Sequence, residues 1–150
     1  MLPFLIGFFA GLRSLTAPAV TAWAAHLGWL DLPVPLAWIG GTIAVAVFTV
    51  LAVLELVADK LPSTPSRTSP PGLIARIALG GLSGACLGAA GGGRAGVGGL
   101  LGIVGALVGG FGGYQARTNL VRTLGTPDAV VAVLEDVIAI AGSFWVVSRF

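Results

Sequence analysis

The chain reads as an all-α, polytopic membrane bundle of about five transmembrane helices, one domain over residues 1–150. Composition predicts it first: 56% of the residues are hydrophobic and 9% charged, whereas soluble domains carry about 25% charged residues. The mean hydropathy of +0.99 agrees. The second observation is a set of apolar stretches, each near the ~20 residues that a bilayer core requires. The third is a pair of glycine-spaced segments of the kind that lets membrane helices approach closely.

The first expected span, residues 2–29, is interrupted by Arg13 and Pro18 and should bend or break there. Proline removes a helical hydrogen bond and clashes with the preceding turn. Its start lacks the basic region of a signal peptide, and Arg13 falls where an apolar core should run, so it reads as a retained helix. Residues 36–59 form the second and clearest span. The stretch that follows, 60–72, holds four prolines among serines and threonines and reads as an aqueous loop. Residues 73–90 make the third span and 96–114 the fourth. A polar stretch, 115–126, leads to the fifth, 127–147, where Pro127 suits the first turn of a helix.

In the third and fourth spans Gly80, Gly84 and Gly88 recur every fourth residue, as do Gly98 and Gly102, then Gly105, Gly109 and Gly113. One face of each helix is thereby stripped of side chains, which is a glycine-zipper pattern. So much small-residue surface also favours a homo-oligomer.

Lys60, Arg67, Arg76, Arg117 and Arg122 flank one expected side, against Arg94 and Arg149 on the other. The positive-inside rule then predicts a multi-pass protein of the cell inner membrane with a cytoplasmic amino terminus. Trp29, Trp38 and Trp145 would all fall at the outer interface, where indole rings prefer to sit. The basic residues form no stripe, so a nucleic-acid partner is not expected. Membrane lipids are the expected partners.

Acidic residues inside apolar runs carry the chemistry. Residues 50–57 read VLAVLELV and residues 130–137 read VVAVLEDV, six of eight identical, with Glu55 and Glu135 in register. A charged group at the centre of a membrane helix costs about 2.5–3.5 kcal/mol on insertion scales, so it normally has a partner or a task. Such a repeat, placed either side of a linking helix, is a candidate inverted repeat of the transporter type. A two-fold axis in the membrane plane would nevertheless separate the two glutamates, which the expected topology puts in one half.

Glu55 and Asp59 share one helix face, four residues apart, with Lys60 next to Asp59. Glu135 and Asp136 are neighbours on the last span, and Arg13 is the cation inside the first. The expected site is therefore Arg13, Glu55, Asp59, Glu135 and Asp136, with Arg13 approaching Glu55, Glu135 or both. It reads either as a structural lock or as a proton- or ion-responsive site, because a carboxyl in low dielectric can cycle between charged and neutral forms. Asp59 reads more simply as an interfacial anchor. Arg117 and Arg122 read as lipid-headgroup contacts, or as gating residues helped by Gln115 and Asn119. Thr16 and Thr21 flank a kink at Pro18, and His26 is interfacial.

Other chemistry is not expected. Cys86 stands alone, without disulfide or metal spacing. Gly91-x-Gly93-x-x-Gly96 spells a dinucleotide fingerprint without the strand–turn–helix that gives it meaning. No cofactor is expected, no metal is assigned, and no nucleophile–base set points to an enzyme.

Gly11-Leu-Arg13, then LELVADKLP over residues 54–62, then Leu134-Glu135-Asp136 together resemble a family of small integral membrane proteins catalogued as a domain of unknown function. The resemblance covers most of the chain, and LExVADKxP is its most specific piece. It implies a compact helical membrane protein and draws attention to Arg13, Glu55, Asp59, Lys60, Glu135 and Asp136. The expected function is a small transporter or channel-like protein for an ion, a proton or a small cation. The alternative is a membrane scaffold or lipid-binding protein whose buried arginine–glutamate cluster is structural.

Overall fold

The computed structural model describes residues 1–59, 70–125 and 127–150, and among them the chain is helical with no strand. In order come α1 (Leu2–Leu12), α2 (Thr16–His26), α3 (Val34–Ala37), a 3-10 turn (Trp38–Gly40), α4 (Thr42–Ala58), α5 (Pro70–Ala90), α6 (Ala95–Leu124) and α7 (Asp128–Val147).

Among the described residues three helices are long and apolar enough to cross a membrane: Pro70–Ala90, Ala95–Thr123 and Asp128–Val147. A fourth crossing is available if residues 34–40 and α4, which meet at a 58° bend, count as one. The expected five spans are thus corrected to three or four. The reason lies in the first span, which divides into two helices of 11 residues each. At 1.5 Å per residue each is about 16 Å long, half of the ~30 Å hydrocarbon thickness. The break falls at residues 13–15. Pro18 is not at the break; it sits in the first turn of α2, where its missing N–H costs nothing.

Two other expected boundaries shift. Pro70 and Pro71, assigned to the loop, instead open α5. The supposed polar connection 115–126 is mostly the last turns of α6, which runs without interruption to Leu124. Polar side chains alone do not end a helix; the first breakers there are Gly125, left-handed at φ 60°, and Pro127. Residues 60–69, which hold most of the proline-rich loop with Lys60 and Arg67, lie outside the described residues.

Glycine sets the packing of the frame. A Cβ added to Gly84 or Gly88 would collide with Gly98 of α6, and one on Gly80 with Ala106 and Gly102, so α5 and α6 run antiparallel with backbones in contact. Gly7 meets Gly102 and Gly11 meets Ala106 and Gly110, which aligns α1 parallel to α6. Phe9 packs on Gly142, and Arg13 reaches Asp136, so α7 runs antiparallel to α1. Tight helix contact of this sort gains dispersion energy without needing large side chains.

α2 runs antiparallel to α4: Leu15 lies at Glu55, Trp23 at Thr49 and His26 at Gly40. Met1, Arg94 and Phe150 line one groove. Both ends of the chain therefore lie at the end of the bundle that carries Arg94. This corrects the expected topology, which put residue 1 on the opposite side from Arg94 and Arg149. That expectation treated residues 2–29 as one crossing.

Candidate functional site

The site forms where the first span breaks. A helix end leaves backbone groups without intrahelical partners, and inside a membrane water is not there to satisfy them. Both ends at this break are met by charged side chains from other helices.

At the start of α2, the carboxylate of Glu55 in α4 accepts hydrogen bonds from the backbone N–H of Ser14 at 2.8 Å and of Leu15 at 2.9 Å. The Ser14 hydroxyl donates to the same carboxylate. Neither Leu15, the residue at the capping position, nor any acidic residue of the first turn caps α2, so its cap is supplied from another helix. A negative group there also meets the positive end of the helix dipole.

At the end of α1, Arg76 of α5 donates through Nε to the carbonyl of Gly11 at 2.8 Å. Arg76 is buried. A cation at a helix carboxyl terminus is the matching arrangement. Each half-helix is thus closed by a charge of the correct sign.

Arg13 lies between them and is completely buried. Its guanidinium pairs with Asp59, the residue that ends α4, and with Asp136 of α7. One cation bridges carboxylates from two helices. Guanidinium suits this duty because its planar fork presents several donors and keeps its charge.

A second group adjoins the first. Arg117 of α6 donates through Nε to Asp128 at 2.7 Å, with a second contact from its Nη2. Its Nη1 lies 3.8 Å from Glu135. Glu135 and Asp136 are both buried, and they connect the Arg117 group to the Arg13 group through adjacent positions of α7.

All five expected site residues gather in this polar layer, but their pairing differs from expectation. The expectation is that Arg13 approaches Glu55, Glu135 or both; its ion pairs are with Asp59 and Asp136. Glu55 is taken by the backbone of Ser14 and Leu15, and Glu135 faces Arg117. The interfacial-anchor reading of Asp59 is corrected in the same way. Arg117 meets acidic side chains where lipid headgroups were expected.

Sequence reasoning missed Arg76 and Ser14. Arg76 was counted only as a topology signal, although an arginine four residues inside an apolar span needs a partner as much as Arg13 does. Ser14 carries no signal beyond its place next to Arg13. Thr21 turns back on its own helix, donating to the Ala17 carbonyl at 2.8 Å. His26 Nδ1 lies 2.8 Å from the Gly40 carbonyl, and that position is exposed. Among the described residues no three His, Cys, Asp or Glu side chains are grouped to hold a metal ion.

Apolar helices, three or four of them able to cross a membrane among the described residues, enclose a layer of paired charges and suggest a multi-pass membrane protein. The family model described as a domain of unknown function (DUF4126) matches residues 1–148, and the chain belongs to that family. No curated protein and no solved structure matches it.

Proposed function

We propose that this chain is a small ion- or proton-coupled transporter or channel-like protein. Glu55, Asp59, Glu135 and Asp136, balanced by Arg13, form its ion-responsive centre. The observation that carries the reading is the break at residues 13–15, with both half-helix ends turned toward buried charges. Discontinuous helices whose ends meet charged groups at membrane depth recur where transporters bind ions and substrates. Backbone is left irregular at that depth only where protein or a lined cavity satisfies it.

In this reading α1 descends along α6 to the polar layer and α2 returns, forming a re-entrant hairpin. Support comes from the core: Val20 and Ala24 of α2 share a cluster with Cys86, Leu87, Val146 and Val147, toward the ends of α5 and α7 remote from Arg13. Four crossings then follow, and the positive-inside rule puts the side bearing Arg117 and Arg122 in the cytoplasm. The amino terminus would face outward, with the inner membrane as location. The glycine contacts of α5 with α6 act as a glycine zipper that holds the frame rigid, and a homo-oligomer remains part of the proposal. α4 and α7, which carry the matching octapeptides, run in opposite directions, which supports treating them as counterparts of an inverted repeat.

The test is flux in proteoliposomes. Glu55→Gln and Glu135→Gln should abolish pH-dependent uptake of small cations while the protein stays folded. Unchanged flux in both variants removes the carboxylates from the mechanism.

A second reading, a scaffold or lipid-binding protein with a structural charge lock, is favoured by one specific observation. Arg76 donates through Nε to the backbone carbonyl that closes α1, which is a packing duty. This reading predicts loss of thermal stability in the same variants, with no flux in any of them.

A further inference from the structure

α4 is attached to the rest of the protein differently from its neighbours. It packs mainly on α2 and on the 3-10 turn. Among its residues only Val45 and Ala52 are buried. At its start it meets residues 34–40 at the 58° bend beside Gly41. In the middle, Trp23 Nε1 donates to Thr49 Oγ1 at 3.0 Å. At its end two acidic residues hold it: Glu55 on the N–H groups of Ser14 and Leu15, and Asp59 on Arg13. A helix bent at one end and clasped by charge at the other has the form of a hinged arm.

We propose that α4 is a proton-released gate, latched by Glu55 and Asp59 and opening access to Arg13 and Asp136. It rests on the ion- or proton-coupled reading for its purpose, since a gate serves the site already described.

The chemistry of the latch sets the direction. An ionised Glu55 accepts from the Ser14 and Leu15 N–H groups; a proton on either oxygen turns that acceptor into a donor facing donors. A proton on Asp59 removes its attraction to Arg13. Release does not strand the buried guanidinium, because Asp136 on α7 still neutralises it. That second carboxylate makes the step reversible where a lone ion pair would be too costly to break. The other charged groups facing the latch are Arg76 of α5, on the Gly11 carbonyl, and Glu135 of α7 with Arg117 of α6. Lys60 follows Asp59 in sequence, outside the described residues. Protons come from bulk water and return to it, and no covalent bond changes. The latch is closed while both carboxylates are ionised and opens when they carry protons.

Spin labels at Val50→Cys on α4 and Val104→Cys on α6, both exposed positions, in a Cys86→Ala background, read the distance between arm and frame in lipid nanodiscs. Between about pH 8 and about pH 3, either side of ordinary carboxylate values, the distribution should gain a second, longer population that becomes the major one. The Glu55→Gln/Asp59→Asn double variant should show the longer population at both pH values. An unchanged distance across pH in the otherwise native protein overturns the gate, and that measurement stands even if the double variant fails to fold. Proton-coupled flux with a fixed distance refutes the gate and leaves transport intact. Movement without flux refutes transport and leaves the gate.

Discussion

The carboxylate of Glu55 caps a helix that begins 39 residues before it, accepting the backbone N–H of Leu15 at 2.9 Å. The start of α2 therefore depends on α4 being in place. Replacing Glu55 by alanine should destabilise the protein by about 1–2 kcal/mol, the upper range for loss of a helix cap. Glutamine keeps one acceptor and should lose less. Thermal melts in detergent at fixed lipid content separate the two; equal melting temperatures for both variants and the native chain would remove the cap from the account.

Arg13 bridges two acids, so its removal takes the bridging charge from both. Arg13→Met should cost about 3–5 kcal/mol, the usual penalty for breaking a buried pair from one side. Adding Asp59→Asn and Asp136→Asn should recover part of that loss, because the stranded charges go with the cation. A triple variant less stable than Arg13→Met would contradict the bridge. Equilibrium unfolding of all three forms supplies the comparison.

Arg76 should behave as a structural group. Arg76→Met leaves the Gly11 carbonyl without its buried donor, at a cost of about 1–3 kcal/mol. Lysine, with a point charge on a flexible stem, should restore only part of it. Stability is the readout, and flux per folded molecule should not change.

Glycines divide sharply by position. Gly84→Ala should perturb packing, because the new Cβ would lie 2.5 Å from the Gly98 carbonyl oxygen. Gly112→Ala should be neutral or stabilising by about 0.5–1 kcal/mol, since nothing lies within 4 Å of its added Cβ and alanine is the better helix residue. Size-exclusion profiles and melts of the two variants, side by side, make the test; similar behaviour would deny the close α5–α6 contact.

Asp128 meets Arg117 at an exposed position. Asp128→Asn should therefore shift stability by no more than about 1 kcal/mol. A large loss would show that the Arg117 group is held more tightly than its exposure implies.

Much of this arrangement is legible in the sequence, and what is not has a physical cause. Helical class, the apolar stretches of α5 to α7 and the glycine faces follow from hydropathy and spacing. Arg13, Glu55, Asp59, Glu135 and Asp136 stand out because charge within apolar runs is costly. Their pairing was not legible. Whether Arg13 meets Glu55 or Asp59 turns on a difference of one helical turn on α4, and both lie on the same face. The broken first span was readable as an interruption but not as a division into two short helices, since hydropathy does not report direction. Arg76 was hidden by its position near a helix start, where a basic residue is also what topology rules lead one to expect.

The two acids that hold Arg13 are far apart along the chain, Asp59 at the end of α4 and Asp136 midway along α7. During synthesis Arg13 enters the lipid long before Asp136 exists, and Asp59 is the first of its two partners to be made. Assembly should then be ordered: the early helices can stay only loosely inserted until α7 arrives, and chains truncated before Asp136 should be cleared by membrane quality control even though most of their apolar segments are complete.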